Sequence, residues 1–188
     1  MSTPHPPLPA KLVAGLLLAR RERFTSLAVE MAAAFGRIDL VSAWMPFDYT
    51  QYYAEEMGTG LFRRMLAFQP LVAPERLPHV KLATNAIEQA CAQDGRRTVN
   101  IDPGILSLER FVLATGKNFT HRIYLGQGIY ADLTLIYHRG AFQTLPWTYP
   151  DYADAPLQRF LLAVRAKYAR DLQARGPASP SGGSRSDD

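Results

Sequence analysis

The chain has 188 residues, 47% of them hydrophobic, with 21 Lys and Arg against 17 Asp and Glu for a formal charge of +4. That length supports one sizeable core, since dividing it would leave both halves short of apolar surface to bury. The charge excess is too mild to mark a nucleic-acid protein, the single Cys91 excludes a disulfide framework and any multi-cysteine metal site, and no apolar run reaches the roughly 18 residues of a membrane span. The expectation is a soluble cytoplasmic protein with no membrane partner, and with nucleic acid disfavoured as a partner.

Residues 1–10 form a Pro-rich arm without a leader-like apolar stretch. Residues 11–19 are almost continuously apolar, as expected of a strand covered on both faces. Phe24, Leu27, Ala28, Met31 and Phe35 recur at helical spacing, and Gly36 follows as a C-terminal cap. Residues 38–47 and 61–72 are rich in strand formers, the second run interrupted late by Pro70. Pro78 suits the first turn of a helix reaching about residue 93, with Val80, Ala83, Ile87 and Ala90 as its buried stripe and Asp94-Gly95 as its stop. Residues 98–145 alternate as strands with turns at Pro103-Gly104, Gly116-Lys117, Gly126-Gln127-Gly128 and Arg139-Gly140, which favours antiparallel pairing. A last helix starts at Asp154 as N-cap and carries Leu157, Phe160, Leu161, Val164 and Tyr168 on one face. Residues 175–188 hold little to bury and read as a disordered tail. Residues 11–174 are therefore expected to form one α+β (mixed α/β) domain, a largely antiparallel sheet with about three helices packed on it.

The densest chemistry lies between Arg97 and Tyr137. In Asn100-Ile101-Asp102-Pro103-Gly104, strand alternation sends Asn100 and Asp102 to one face, where they can bind a hydroxyl, orient water or hold a metal; the alternative is an Asx-type turn capped by Asp102. Lys117, His121 and Arg122 cluster beside a Gly turn, a set suited to phosphate, with His121 also able to move a proton; a solvated hairpin loop would use the same residues. Tyr124 in the same stretch would be a further ligand contact. Asp132 is an acid amid an apolar strand, and with Asp102 it would support a divalent metal if the two meet. Lys81, Asn85 and Glu88 share one helix face, either lining a site or facing water. Trp147 heads an aromatic, Pro-restricted strap that either packs structurally or stacks on a ligand ring. Residues 46–58 mix aromatics and acids as a lid or binding rim would.

Two nucleotide signatures fail on inspection. Gly126-Gln127-Gly128-Ile129-Tyr130-Ala131 sits in a hairpin with no helix after it, and Gly116-Lys117 is followed by Asn118 with Phe111 in the place of the first P-loop glycine.

The strings Phe47-Asp48-Tyr49-Thr50, Tyr52-Tyr53, Glu56-Met57-Gly58, Asn100-Ile101-Asp102-Pro103-Gly104, His121-Arg122-Ile123-Tyr124-Leu125 and Trp147-Thr148-Tyr149-Pro150-Asp151-Tyr152 together resemble an uncharacterised bacterial domain-of-unknown-function family over roughly residues 11–172. The resemblance implies a single intracellular domain and supplies no catalytic residues. The residues themselves point to a small phosphate-bearing ligand such as a nucleotide. Asp102, His121 and Asp132 are the catalytic candidates, Asp102 and Asp132 would hold a divalent metal, and Asn100, Lys117, Arg122, Tyr124, Lys81, Asn85, Glu88 and Trp147 would bind the ligand. The alternative is a non-enzymatic module that meets a protein partner through an aromatic surface.

Overall fold

A nine-residue, nearly apolar segment finds no solvated face to offer, and Ala10–Leu18 becomes a strand (β1) buried along its whole length. The computed structural model describes residues 2–175. Met1 of the Pro-rich arm and all but Arg175 of the tail expected at 175–188 lie outside the described residues. The remaining strands are β2 (Ile38–Val41), β3 (Met45–Phe47), β4 (Leu61–Val72), β5 (Val99–Leu106), β6 (Arg110–Thr115), β7 (Arg122–Gly126), β8 (Ile129–His138) and β9 (Ala141–Thr144). Among the described residues all nine join one antiparallel sheet in the order β2-β4-β1-β5-β6-β8-β7, with β3 beside β4 and β9 beside β8. The helices are α1 (Phe24–Phe35), α2 (Ala54–Met57), α3 (Leu77–Ala90), α4 (Pro150–Ala153) and α5 (Ala155–Ala174), of which α1, α3 and α5 are the long ones expected.

The pleat of β1 sorts the core into two layers. Leu12, Ala14, Leu16 and Leu18 meet Leu27 and Met31 of α1 and Val80 of α3. Val13 faces the other way, into the cluster that holds Met65, Leu113 and the α5 stripe of Leu157, Leu161, Val164 and Tyr168. Burial of each such aliphatic side chain contributes about 1.5–3 kcal/mol. Lys11, on the α5 side of β1, is fully buried and is neutralised by Asp39 at 2.6 Å and Asp171 at 2.8 Å, which ties β1 to β2 and α5. None of the helices among the described residues is long and apolar enough to cross a membrane.

Four local expectations change. The strand run at 38–47 divides into β2 and β3, because Ser42 between them turns its hydroxyl to accept the Met65 N–H at 2.9 Å. Asp154 stands in extended geometry at the N-cap of α5 but makes no capping bond; its carboxylate accepts the Tyr49 hydroxyl instead. The buried face of α3 is rotated from the expected stripe, taking in Leu77, Val80, Lys81 and Thr84 while Ala90 is exposed.

Pro103-Gly104 is not a turn but lies inside β5. A Cβ on Gly104 would come 2.6 Å from the Val112 carbonyl oxygen and 3.0 Å from the Phe111 ring, so glycine is demanded by the close approach of β6. Pairing to β6 runs only through Gly104, Ile105 and Leu106, so Pro103, without an N–H to give, is paired to β1 alone. The contact is with backbone, which cannot swing aside, and Gly104→Ala is expected to lower the free energy of unfolding in urea by about 1–3 kcal/mol. An unchanged midpoint would show that the two strands relax apart freely.

Candidate functional site

Below Gly104 the sheet opens. Val99–Asp102 pair with β1 on one side, but β6 pairs only with β8 at the corresponding level. The Ile101 backbone, which a continuous sheet would bond to β6, is taken up by α3. Lys81 donates to the Ile101 carbonyl at 2.8 Å, and the Ile101 N–H donates to Glu88 Oε1 at 2.5 Å. Seven residues apart on one helix face, Lys81 and Glu88 act as a substitute strand. Their ammonium and carboxylate are 4.0 Å apart. Burial pushes the Glu88 carboxyl above the usual carboxylate range, with Lys81 and the Ile101 N–H opposing.

The parted strands frame a cleft of about 860 Å³. Lys81, Asn85, Glu88, Asn100, Asp102, Lys117 and Asp132 all line it, together with rings of Tyr49, Tyr52, Tyr53 and Tyr149. The structure thus unites seven of the residues nominated from the sequence. His121, Arg122 and Trp147 stand behind Asp132 rather than in the lining. Tyr124 is apart, on β7, packed against Tyr130 at 5.2 Å.

Sequence reasoning missed the charge at the base of the cleft. Arg63 of β4 is buried at 3% exposure. It forms an ion pair at 2.9 Å with Asp151, without hydrogen-bond alignment, and a longer one at 3.5 Å with Asp102. Its Nη1 also donates to the Tyr152 hydroxyl at 3.4 Å. Burial opposes its charge, yet Tyr152, Asp151 and Asp102 outweigh that and hold the guanidinium protonated more firmly than in water. Burial likewise pushes the Asp151 carboxyl up, with Arg63 pulling against it. The space for the guanidinium exists because position 15 has no side chain: a Cβ there would lie 2.6 Å from Arg63 Nη1 and 3.0 Å from the Tyr152 oxygen. The available signal was a glycine inside an otherwise large-residue strand and an arginine on the core-facing register of another.

Asp132 organises the far wall. Its Oδ2 accepts from Arg122 Nε at 2.9 Å and lies 3.1 Å from His121 Nε2, while the Thr134 hydroxyl stands 3.4 Å from Oδ1. Arg122 spends its other donors on the Lys117 carbonyl at 3.0 Å and the Tyr149 hydroxyl at 2.6 Å. The His121 ring stacks on Trp147 at 4.7 Å, and the Trp147 indole N–H donates to the Leu133 carbonyl at 2.8 Å. In this geometry Arg122, His121 and Trp147 fasten the aromatic strap to β8.

The two metal candidates do not meet. Asp102 on β5 and Asp132 on β8 are separated by β6, so their backbones stand on the order of 10 Å apart, and each is engaged by an arginine. Among the described residues, no group of three or more His, Cys, Asp or Glu is placed to hold a metal ion.

The remaining lining charges are mostly paired. Arg97 bridges Glu56 at 3.1 Å and donates to Asn100 Oδ1 at 2.8 Å, fastening the 46–58 segment to the rim. Lys117 donates to the Tyr52 hydroxyl at 2.6 Å, with no carboxylate within ion-pair distance among the described residues. Burial, aided by Asp154, pushes the Tyr49 hydroxyl up to about 12, and burial raises Tyr53 and Tyr152 as well, so these rings serve as neutral walls at neutral pH.

Together these features define an α+β domain whose single antiparallel sheet parts to form a polar cleft walled by tyrosines. Residues 8–168 match the family described as a domain of unknown function, DUF4416, and the chain belongs to that family. The sequence resemblance to an uncharacterised family is thereby shown. No curated protein and no solved structure matches the chain.

The raised Glu88 carboxyl gives a pH signature. In the folded chain it keeps its proton over a range where the unfolded chain has released it, so the stability it contributes is complete below the unfolded value of about 4.3 and is lost as pH rises through the folded one. Glu88→Gln retains an oxygen for the Ile101 N–H but cannot titrate. Urea melts should show the native chain losing stability relative to the variant as pH climbs from about 4 towards neutrality. Parallel pH profiles would mean that Glu88 titrates as in water.

Proposed function

We propose that the protein binds a small phosphate-bearing ligand, such as a nucleotide, in the cleft between β5 and β6. The carrying observation is that Lys81, Asn85, Glu88, Asn100, Asp102, Lys117 and Asp132, drawn from four separate segments, line one cavity of about 860 Å³. Small-molecule sites typically span roughly 300–1,000 Å³. Arg63, Lys81 and Arg97 already have acidic partners, which leaves Lys117 to meet the phosphate. The tyrosine walls offer flat faces to a base or sugar ring. Phosphoester chemistry, if the bound ligand undergoes it, falls to Asp102 and to any divalent ion that arrives with the phosphate, because Asp132 is already paired with His121 and Arg122. A cytoplasmic setting accords with the free, buried Cys91.

Isothermal titration with nucleoside mono-, di- and triphosphates and sugar phosphates, with and without Mg²⁺, is the direct test. Saturable binding is expected, weakened about tenfold in Lys117→Ala through loss of a charge-assisted contact. If no phosphorylated compound binds saturably, the reading falls.

A second reading, contact with a protein partner through an aromatic surface, draws on a different place from the one expected. The rings of the 46–58 segment line the cleft, with Tyr52 58% exposed, whereas Ile123 and Tyr124 of the edge strand β7 are 71% and 60% exposed, beside Phe119 in the preceding turn at 62%. An apolar edge strand invites strand addition. Light scattering at increasing concentration should then show self-association that Ile123→Glu abolishes. A native chain that stays monomeric removes pairing with a second copy.

A further inference from the structure

Asn100 is buried to 5% exposure and lines the cleft, yet its Nδ2 has no hydrogen-bond partner. The orientation of the amide is not arbitrary. Arg97 Nη1 donates to Asn100 Oδ1 at 2.8 Å, and because a guanidinium only donates, the oxygen must face Arg97 and the NH₂ the other way. A buried donor without an acceptor is costly, and folds keep one chiefly where something else completes it.

Two residues along the same strand face stands Asp102. One of its oxygens meets Arg63 at 3.5 Å, and the side chain is 26% exposed, so an acceptor remains open to the cleft. The backbones of residues i and i+2 on a strand are about 7 Å apart, close enough for one group between their side chains to reach both. The group must accept from Asn100 and donate to Asp102. A hydroxyl does both at once. A phosphate oxygen accepts but brings like charge to Asp102, and an ammonium donates but leaves Asn100 unpaired. Tyr53, on the same cleft, offers the flat face against which the C–H surface of a sugar ring packs.

We propose that Asn100 and Asp102 form a hydroxyl-binding subsite and that the ligand of the cleft is a phosphorylated polyhydroxylated ring, a sugar phosphate or the sugar of a nucleotide. This deepens the phosphate-ligand reading and rests on it for the anionic end, while the subsite itself stands on the Asn100 and Asp102 geometry. Arg97 is a positioning residue, which sets the amide rather than touching the ligand.

The experiment compares ribose 5-phosphate, glucose 6-phosphate, methyl phosphate and free ribose by calorimetric titration, with thermal unfolding of each variant alongside. The expected result is that at least one sugar phosphate binds tenfold or more tighter than methyl phosphate. Asn100→Leu should reduce it to the methyl phosphate level while unfolding at or above the native temperature. Arg97→Met, in which Asn100 is retained but free to rotate, should weaken sugar phosphate binding severalfold, and by a larger factor than it weakens methyl phosphate; an equal loss for both overturns the positioning role. Equal affinity for methyl phosphate and sugar phosphates overturns the hydroxyl subsite and leaves the phosphate reading in place. Free ribose binding as tightly as its phosphate supports the subsite and overturns the phosphate reading. No binding by any of the four overturns both, and native affinity in Asn100→Leu assigns the Nδ2 to a buried water and overturns the subsite.

Discussion

The architecture of the cleft depends on one exchange, the replacement of β6 by two side chains of α3 along the edge of Ile101. A sheet cannot part in its interior without orphaning backbone groups, and each buried orphan costs about 1–3 kcal/mol. Lys81 and Glu88 remove that cost for both groups of one residue. Once they do, β5 and β6 can separate below Gly104, and Asn100 and Asp102 line the opening. The same closeness of β5 and β6 at Gly104 that forbids a Cβ acts as the hinge point from which they diverge.

The charges around the cleft follow from that opening. Arg63 lies beneath it with almost no exposure, and a buried guanidinium left without acidic partners is strongly destabilising. Asp151, Asp102 and the Tyr152 hydroxyl meet it, with room provided by Gly15. Asp102 is the partner at the longest distance and the most exposed, so the arginine that holds the floor together also leaves that carboxylate half available. On the opposite wall Asp132 is held by Arg122, His121 and Thr134, which anchors that side of the cleft.

Much of the fold was legible locally. The apolar run of β1, the spacing of Phe24 through Phe35, and the stripe of Leu157, Leu161, Val164 and Tyr168 each express a single period in a continuous segment, and each became the expected element. Pro103-Gly104 misled because Pro-Gly is a turn signal by local conformation, whereas here the glycine answers to a carbonyl on another strand. The stripe of α3 misled for a related reason: Lys81 counts as polar in any periodicity, but it is buried to reach a carbonyl. On the site side, seven residues nominated from the sequence, from a helix face, two strands and a Gly turn, come to line one cleft. The contacts of Arg122 and His121 with Asp132 were not legible, since nothing in a linear run of cations shows that a carboxylate on the next strand will meet them.

What the sequence by itself determined is therefore the main elements, their largely antiparallel pairing and a set of polar residues that come to line the cleft, because these depend on periods and on residue type within a few neighbouring positions. Only the tertiary structure decided that the sheet parts beside Ile101, that Arg63 lies under the opening, and that Asp102 and Asp132 stand on separate walls. Those outcomes depend on which distant partner satisfies each buried donor, acceptor and charge, and that choice is made by contacts between distant segments, such as Arg63 with Tyr152, 89 residues apart.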